Sequence, residues 1–355
     1  MSKMKKEKQG GEEARALSRM QKMDKAVAGI DVGSQEIVVC IEREGKQIVR
    51  TFGSYTIDLQ AISQWLIENG IKSVAMESTG VYWIALFEEI ESQGLECKLI
   101  SSRSIRRVPG RKSDISDSQW IQTLYSYGLL ESSFRPEGEI AKLRTLIRHR
   151  AELIQHRAPH ILHMQKALLQ MNIQISQVLS DIVGNTGQAI LRAIVAGERD
   201  PYKLAKMRNY RCKKEESEIA KALTGTWRAE HLFILKQSLE LYDFYTKEIQ
   251  HCDAEIEKTY RQIYPDREVG EEKEIPKYKS KTHSKNAPIG VQVRQHLRRI
   301  SGVDLTAVHG MSDSLAQTIV SEVGTDMNKF PNEKHFCSWL GLAPKREISG
   351  GKVLK

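Results

Sequence analysis

The chain has 355 residues, a formal net charge of +9, 40% hydrophobic and 28% charged residues, the balance of a globular protein with room for two or three domains. No apolar run approaches the roughly 20 residues of a membrane span, and the charged N-terminus, 1–25, is a basic flexible tail rather than a secretory signal. Five cysteines stand singly without a C-x-x-C, which excludes a disulfide framework or zinc ribbon.

These features favour a cytoplasmic protein, and the positive charge is compatible with a polyanionic partner. In chain order, Val27 to Val32 is predicted as a first strand and Glu36 to Glu42 as a second. Glu44-Gly45 forms a turn, and Gln47 to Phe52 returns antiparallel. A helix follows through Leu59, Ile62, Trp65 and Leu66, with Asp58 as N-cap and Gly70 after its end. Ile71 to Met76 is a buried strand, Val81 to Ser92 a helix closed by Gly94, and Leu95 to Ile100 another strand. Three strands followed by helix–strand–helix–strand predict a mixed α/β sheet, not a doubly wound one.

From Asp114 the pattern turns helical, so the fold class is α/β plus all-α. Ile115, Trp120, Ile121 and Leu124 mark one helix, and Ile140 to Met171 carries a long helical periodicity. Ser217 to Tyr264 has apolar residues at helical spacing and few breakers. It is expected to form an antiparallel hairpin or coiled-coil arm used for dimerisation, or else to pack on its own domain. Residues 265–290, rich in Lys, Glu, Ser and Pro, read as a linker. A small helical domain starts behind it.

Four carboxylates carry the chemistry. Asp31 ends the apolar run Val27-Ala28-Gly29-Ile30, and Glu77 ends Val74-Ala75-Met76. A carboxylate at a strand's C-terminal end sits where α/β folds bind ligands. Asp114 and Asp117, three apart, are expected on one helix face. Four like charges drawn together require a cation between them, and oxygen-only ligands select Mg2+ or Mn2+. Such a site polarises a phosphodiester and stabilises the oxygens that enter and leave phosphorus. Arg103, Arg106, Arg107, Arg111 and Lys112 precede the last pair with no acid between Ser101 and Ser113, a local anion-attracting surface.

Two rival readings fall away. Gly29-Ile30-Asp31-Val32-Gly33-Ser34 resembles the phosphate loop of sugar kinases and actin-like ATPases, but no second such loop follows in a duplicated domain. His156, His160 and His163 have helical spacing, yet Pro159 perturbs that helix and no Cys or acid completes a zinc set.

Near the C-terminus Ser349 stands before Gly350-Gly351, with Lys345 and Arg346 close enough to attract a phosphate. A serine nucleophile conserves bond energy as a phosphoserine ester; taken alone, Ser-Gly-Gly is usually just a loop. Taken with Gly29-Ile30-Asp31, Met76-Glu77-Ser78-Thr79-Gly80, Lys112-Ser113-Asp114-Ile115-Ser116-Asp117 and Gly341-Leu342-Ala343-Pro344, it makes the chain from about Ala26 resemble the DEDD transposases of bacterial insertion sequences. These are the Piv-like, bridge-RNA-guided recombinases.

The resemblance implies a RuvC-like (RNase H-fold) domain over 26–135, a helical and coiled-coil region over 136–264 and a C-terminal transposase domain over 291–355. It implies Asp31, Glu77, Asp114 and Asp117 as catalytic metal ligands and Ser349 as the nucleophile joined to DNA. It further implies donor and target DNA as partners, a structured noncoding RNA that pairs with both, and a homodimer assembling to a tetramer with composite active sites. Family members continue for several helices past the serine, whereas this chain stops at Lys355. The expectation is a C-terminally truncated protein, impaired in strand transfer, with its last segment loosely held. A metal-dependent RuvC-like nuclease and a DNA- or RNA-binding remnant are the alternatives.

Overall fold

The computed structural model describes residues 21–78, 80–102, 105, 116–136, 138–263 and 286–342, and the backbone of 348–349 and 352–353. The chain divides into two compact units after Phe134.

The first unit is a five-stranded mixed sheet in the order β3-β2-β1-β4-β5. Strands β1 (Val27–Val32), β2 (Ile37–Arg43) and β3 (Lys46–Phe52) are antiparallel neighbours. Glu44 and Gly45 both adopt positive φ, 51° and 76°, which suits the right-handed twist of a two-residue hairpin. On the other side β1 pairs in parallel with β4 (Ser73–Glu77), and β4 in parallel with β5 (Glu96–Ile100).

Alternation sorts the strands' side chains onto two faces. Ile30, Val39, Ile41, Val74, Met76 and Leu99 pack against Ile62 and Leu66 of α1 (Thr56–Glu68) and Leu86 and Ile90 of α2 (Trp83–Ser92). On the opposite face Val27, Ala75 and Ile100 meet Trp120, Ile121, Leu124 and Tyr125 of α3 (Asp117–Ser126). Each fully buried Ile or Leu contributes about 1.5–3 kcal/mol, so both layers are held by apolar burial.

Two helix starts differ from the sequence reading. Helix α1 begins a turn earlier than expected, with Tyr55 at the N-cap and Asp58 inside the first turn, where its Oδ2 accepts the Tyr55 N–H at 3.1 Å. Helix α3 begins at Asp117, not near Asp114. Ser116 is its extended N-cap: the Ser116 hydroxyl accepts the Gln119 N–H at 3.4 Å, and Gln119 Oε1 accepts the Ser116 N–H at 3.1 Å. This reciprocal box closes the helix at Ser116.

The second unit is built on two long helices, α4 (Gly138–Gln170) and α9 (Ala229–Gln262). They run antiparallel, as the rungs Lys142–Gln262, Arg150–Asp253 and Arg157–Thr246 require. The hairpin expected within 217–264 is therefore formed instead between α9 and the distant α4. Pro159 lies inside α4 without ending it.

Between these helices four short ones, α5 (Ile175–Val178), α6 (Asn185–Val195), α7 (Pro201–Ala205) and α8 (Glu216–Leu223), cap the hairpin's end. Ile173, Ile182, Ile190, Ile194, Leu204 and Leu223 bury themselves against Met164, Leu168, Leu235 and Leu239 of the long helices. At the opposite end of the hairpin, α10 (Val293–Ser301) and α11 (Asp313–Val323) pack on Leu143, Cys252, Ile256 and Tyr260. Glu322 of α11 accepts Arg144 at 2.8 Å and Arg148 at 2.6 Å. A short helix α12 (Glu333–Trp339) and a two-residue hairpin of β6 (Ile348–Ser349) and β7 (Lys352–Val353) follow. All five cysteines are free.

Candidate active site

Strand register sets the first two acids. In the parallel pair β1–β4, Ile30 stands opposite Met76. The next residue of each strand is the acid, so Asp31, next to last in β1, and Glu77, last in β4, follow directly on the final paired residues of adjacent strands. Both alternate away from Ile30 and Met76 and so belong to the face that α3 covers.

Gly29 fixes how closely α3 lies. A Cβ on Gly29 would stand 2.2 Å from Gln122 N and 2.3 Å from Ser118 O. At the helix's other end the Tyr125 hydroxyl hydrogen-bonds Ser73 Oγ, at the start of β4, and the N–H groups of Met23 and Asp24 donate to Ser126 O. Helix α3 therefore runs against β1, and its first residue, Asp117, arrives at the strand ends that carry Asp31 and Glu77. The N-terminus of α3, with its partial positive charge, faces the same edge.

Glu77 is half-buried and accepts a hydrogen bond from the Ser102 hydroxyl. Ser78, one residue on, donates through N–H and hydroxyl to Ile100 O at 3.0 and 3.3 Å, tying the end of β4 to β5. Ser102 was not singled out by the sequence; a serine just beyond a strand carries no motif. On the outer side Gln47 of β3 donates to Gln119 O, Gln122 Oε1 and Thr123 Oγ1, at 3.1, 2.8 and 3.0 Å, and holds α3 over the sheet.

Three of the four expected acids thus come to one edge of one sheet: Asp31, Glu77 and Asp117. Asp114 lies outside the described residues, and the shared helix face expected for Asp114 and Asp117 is not provided by α3, which starts after Ser116. The donors are all hard oxygens, the chemistry that fits Mg2+ or Mn2+. Among the described residues, no three His, Cys, Asp or Glu side chains form a group able to hold a metal ion. Arg103, Arg106, Arg107, Arg111, Lys112, Lys345 and Arg346 also lie outside the described residues. Ser349 is on β6, opposite Lys352, in the second unit.

His160 stacks on Tyr245 with ring centroids 5.5 Å apart, and burial holds its imidazole below the ordinary range. No helix among the described residues is long and apolar enough to cross a membrane.

Comparison with known proteins adds three findings. Residues 28–173 match a family model described as Transposase (DEDD_Tnp_IS110), and residues 304–355 match one described as Transposase IS116/IS110/IS902 family. No curated protein matches the chain. A solved structure of T. thermophilus RuvC in complex with Holliday junction substrate aligns over 30% of this chain and 98% of that one, at 14% identity and a TM-score of 0.23.

Proposed function

We propose, from the premise that matches to IS110-type transposases at both ends of the chain support a DNA transposase or recombinase activity, that the carboxylate edge of the first unit is half of its catalytic centre. The observation that supports this reading is the pairing of Ile30 with Met76, the residues just before Asp31 and Glu77, with helix α3, which begins at Asp117, packed on Gly29 of the same strand. The strand order, three antiparallel then two parallel, supports an RNase H-type domain.

In this reading Asp31, Glu77, Asp114 and Asp117 hold Mg2+ or Mn2+. A bound divalent ion there would neutralise charge on a scissile phosphate. Asp31 and Glu77, on rigid strands, fix where that phosphate sits; the Ser102 hydroxyl holds the Glu77 carboxylate in one rotamer. Ser349 Oγ attacks phosphorus, the P–O bond to the leaving strand breaks, and the energy stays in a phosphoserine ester for rejoining. Arg103, Arg106, Arg107, Arg111, Lys112, Lys345 and Arg346 contact the DNA backbone. Donor and target DNA, a structured noncoding RNA that chooses the sites by pairing, and a homodimer that assembles to a tetramer complete the reading.

The test incubates the full chain with Mg2+, the RNA from its element and donor DNA, and looks for cleaved strands and a covalent protein–DNA adduct. Asp31→Asn and Glu77→Gln should abolish both, while Ser349→Ala should abolish the adduct and exchange. Cleavage that persists undiminished in Ser349→Ala would point to a metal-dependent nuclease instead. Activity untouched in Asp31→Asn would overturn the reading.

A further inference from the structure

A second candidate site lies in the helical cap, in a stretch matched by neither family model. Residues 201–214 contain Lys203, Lys206, Arg208, Arg211, Lys213 and Lys214, and no acid occurs between Asp200 and Glu215. The last part of this run forms one wall of a cavity of about 660 Å³. The opposite wall is the end of α5, the loop after it and the first turn of α6.

The cavity is suited to an anion on three independent grounds. Arg211, Lys213 and Lys214 line it, against a single acid, Asp181, whose Oδ1 already accepts the Val183 N–H at 3.2 Å. Lys214 is shared with Glu218 at 2.9 Å, but Arg211 and Lys213 have no ion-pair partner among the described residues. Helix α6, eleven residues long, opens into the cavity from Gly184 with no side chain capping its first N–H groups. Those donors and the helix's positive end add to the field of the cations.

Between the lining residues Asn209 and Arg211 stands an exposed aromatic, Tyr210. It is 83% exposed. The Arg211 guanidinium lies 5.3 Å from its ring centroid and donates to its hydroxyl at 2.9 Å. An exposed ring beside cations offers a stacking face, and a flat partner carrying phosphates would meet ring and cations together. A stacked base is available only where a strand is unpaired.

We propose that this cavity and Tyr210 form a binding site for an unpaired nucleic-acid strand, with a phosphate seated between Arg211, Lys213 and the start of α6 and a base stacked on Tyr210. The site is built from residues other than those of the carboxylate edge, and the inference does not rest on that reading.

Fluorescence anisotropy of the full chain with a labelled 20-nucleotide single strand, as RNA and as DNA, and with a 20-base-pair DNA duplex tests this. Arg211→Ala with Lys213→Ala should weaken single-strand binding at least tenfold. The same pair should reduce the slope of log K against log[salt] by about 1.4, two contacts at roughly 0.7 each. Tyr210→Ala should cost at least fivefold on the single strand and leave the duplex unchanged. Lys236→Ala with Lys258→Ala, exposed lysines of α9, should stay within twofold and keep the salt slope. Photocrosslinking with 4-thio-substituted strands should place adducts within 202–214, and the preferred strand, RNA or DNA, names the source. The proposal fails if the Arg211/Lys213 variant binds like wild type, if Tyr210→Ala weakens strand and duplex equally, if no strand binds, or if crosslinks fall only elsewhere.

Discussion

The backbone nitrogen of Gln122 lies 2.2 Å from the point where a Cβ on Gly29 would stand, so helix α3 touches strand β1 through a position only glycine can occupy. The contact is backbone to backbone, with Ser118 O at 2.3 Å on the same spot. Gly29→Ala therefore has no flexible side chain to push aside. It should destabilise the first unit by about 1–3 kcal/mol or more, read as a lower urea midpoint with the m-value unchanged. It should also lower DNA cleavage, because the helix that brings Asp117 to the edge must move.

Ser102→Ala tests the support of Glu77. The variant keeps every proposed ligand but removes the hydroxyl that donates to the carboxylate. A hydrogen bond to a charged group is worth about 1.5–3 kcal/mol, so single-turnover cleavage should slow about tenfold. Asp31→Asn should cost at least about a hundredfold. A Ser102→Ala enzyme as impaired as Asp31→Asn would assign the hydroxyl a direct role.

Arg150 and Asp253 form a buried pair at 2.5 Å across the hairpin, with Asp253 wholly shielded from solvent and also accepting the Ile289 N–H at 3.0 Å. Arg150→Ala would leave a buried carboxylate without its cation, a loss of about 3–5 kcal/mol. Arg150→Met with Asp253→Leu should recover much of that, since apolar packing replaces the pair. The thermal midpoints of the three variants against wild type decide it.

His296 makes stability depend on pH. Its Nε2 lies 2.8 Å from Glu257, its ring stacks on Tyr260 at 4.8 Å, and Arg299 faces Nδ1 at 3.2 Å. Burial, aided by Arg299 and Arg261 and opposed by Glu257, holds its pKa below the ordinary 6.5. A base with a lowered folded pKa is neutral in the fold while the unfolded chain protonates first. Its stabilisation is complete above about pH 6.5 and is lost as pH falls from there through the folded value, by at most ~1.4 kcal/mol per pH unit. Urea midpoints between pH 7.5 and 5 should decline, and His296→Gln should flatten the decline.

Much of the sheet was legible because its signals are local. The turn at Glu44-Gly45, the apolar runs and the acids that end them are all adjacent in sequence, and each strand's end fixes where its acid emerges. The start of α3 was equally present, as Ser116-Asp117-Ser118-Gln119, but the helical spacing of Asp114 and Asp117 argued for an earlier start and hid the capping box. The partner of α9 could not be read from periodicity, which marks an apolar stripe without naming what covers it. Pro159 lies within α4 because a helix packed along its length can tolerate one missing hydrogen bond. The basic run at 203–214 is interrupted by Leu204, Ala205 and Met207, so its lysines and arginines read as scattered until folding set Arg211 and Lys213 against α6.

The helical cap enters and leaves the hairpin through one doorway. The Thr226 N–H donates to Met171 O at 2.8 Å, and a Cβ on Gly225 would stand 2.3 Å from that same oxygen, so the outgoing and returning chains touch where the cap begins. Farther down, Arg157 and Thr246 again bring the two chains side by side. Because the cap's core includes Met164, Leu168, Leu235 and Leu239 of the long helices, the piece that carries its own core is residues 157–246 rather than the cap alone. Such a piece is a cassette: two adjacent ends, an interior of its own, and a rod that any antiparallel helix pair could extend. It could be exchanged between proteins at the level of the rod without altering the sheet that holds the acids.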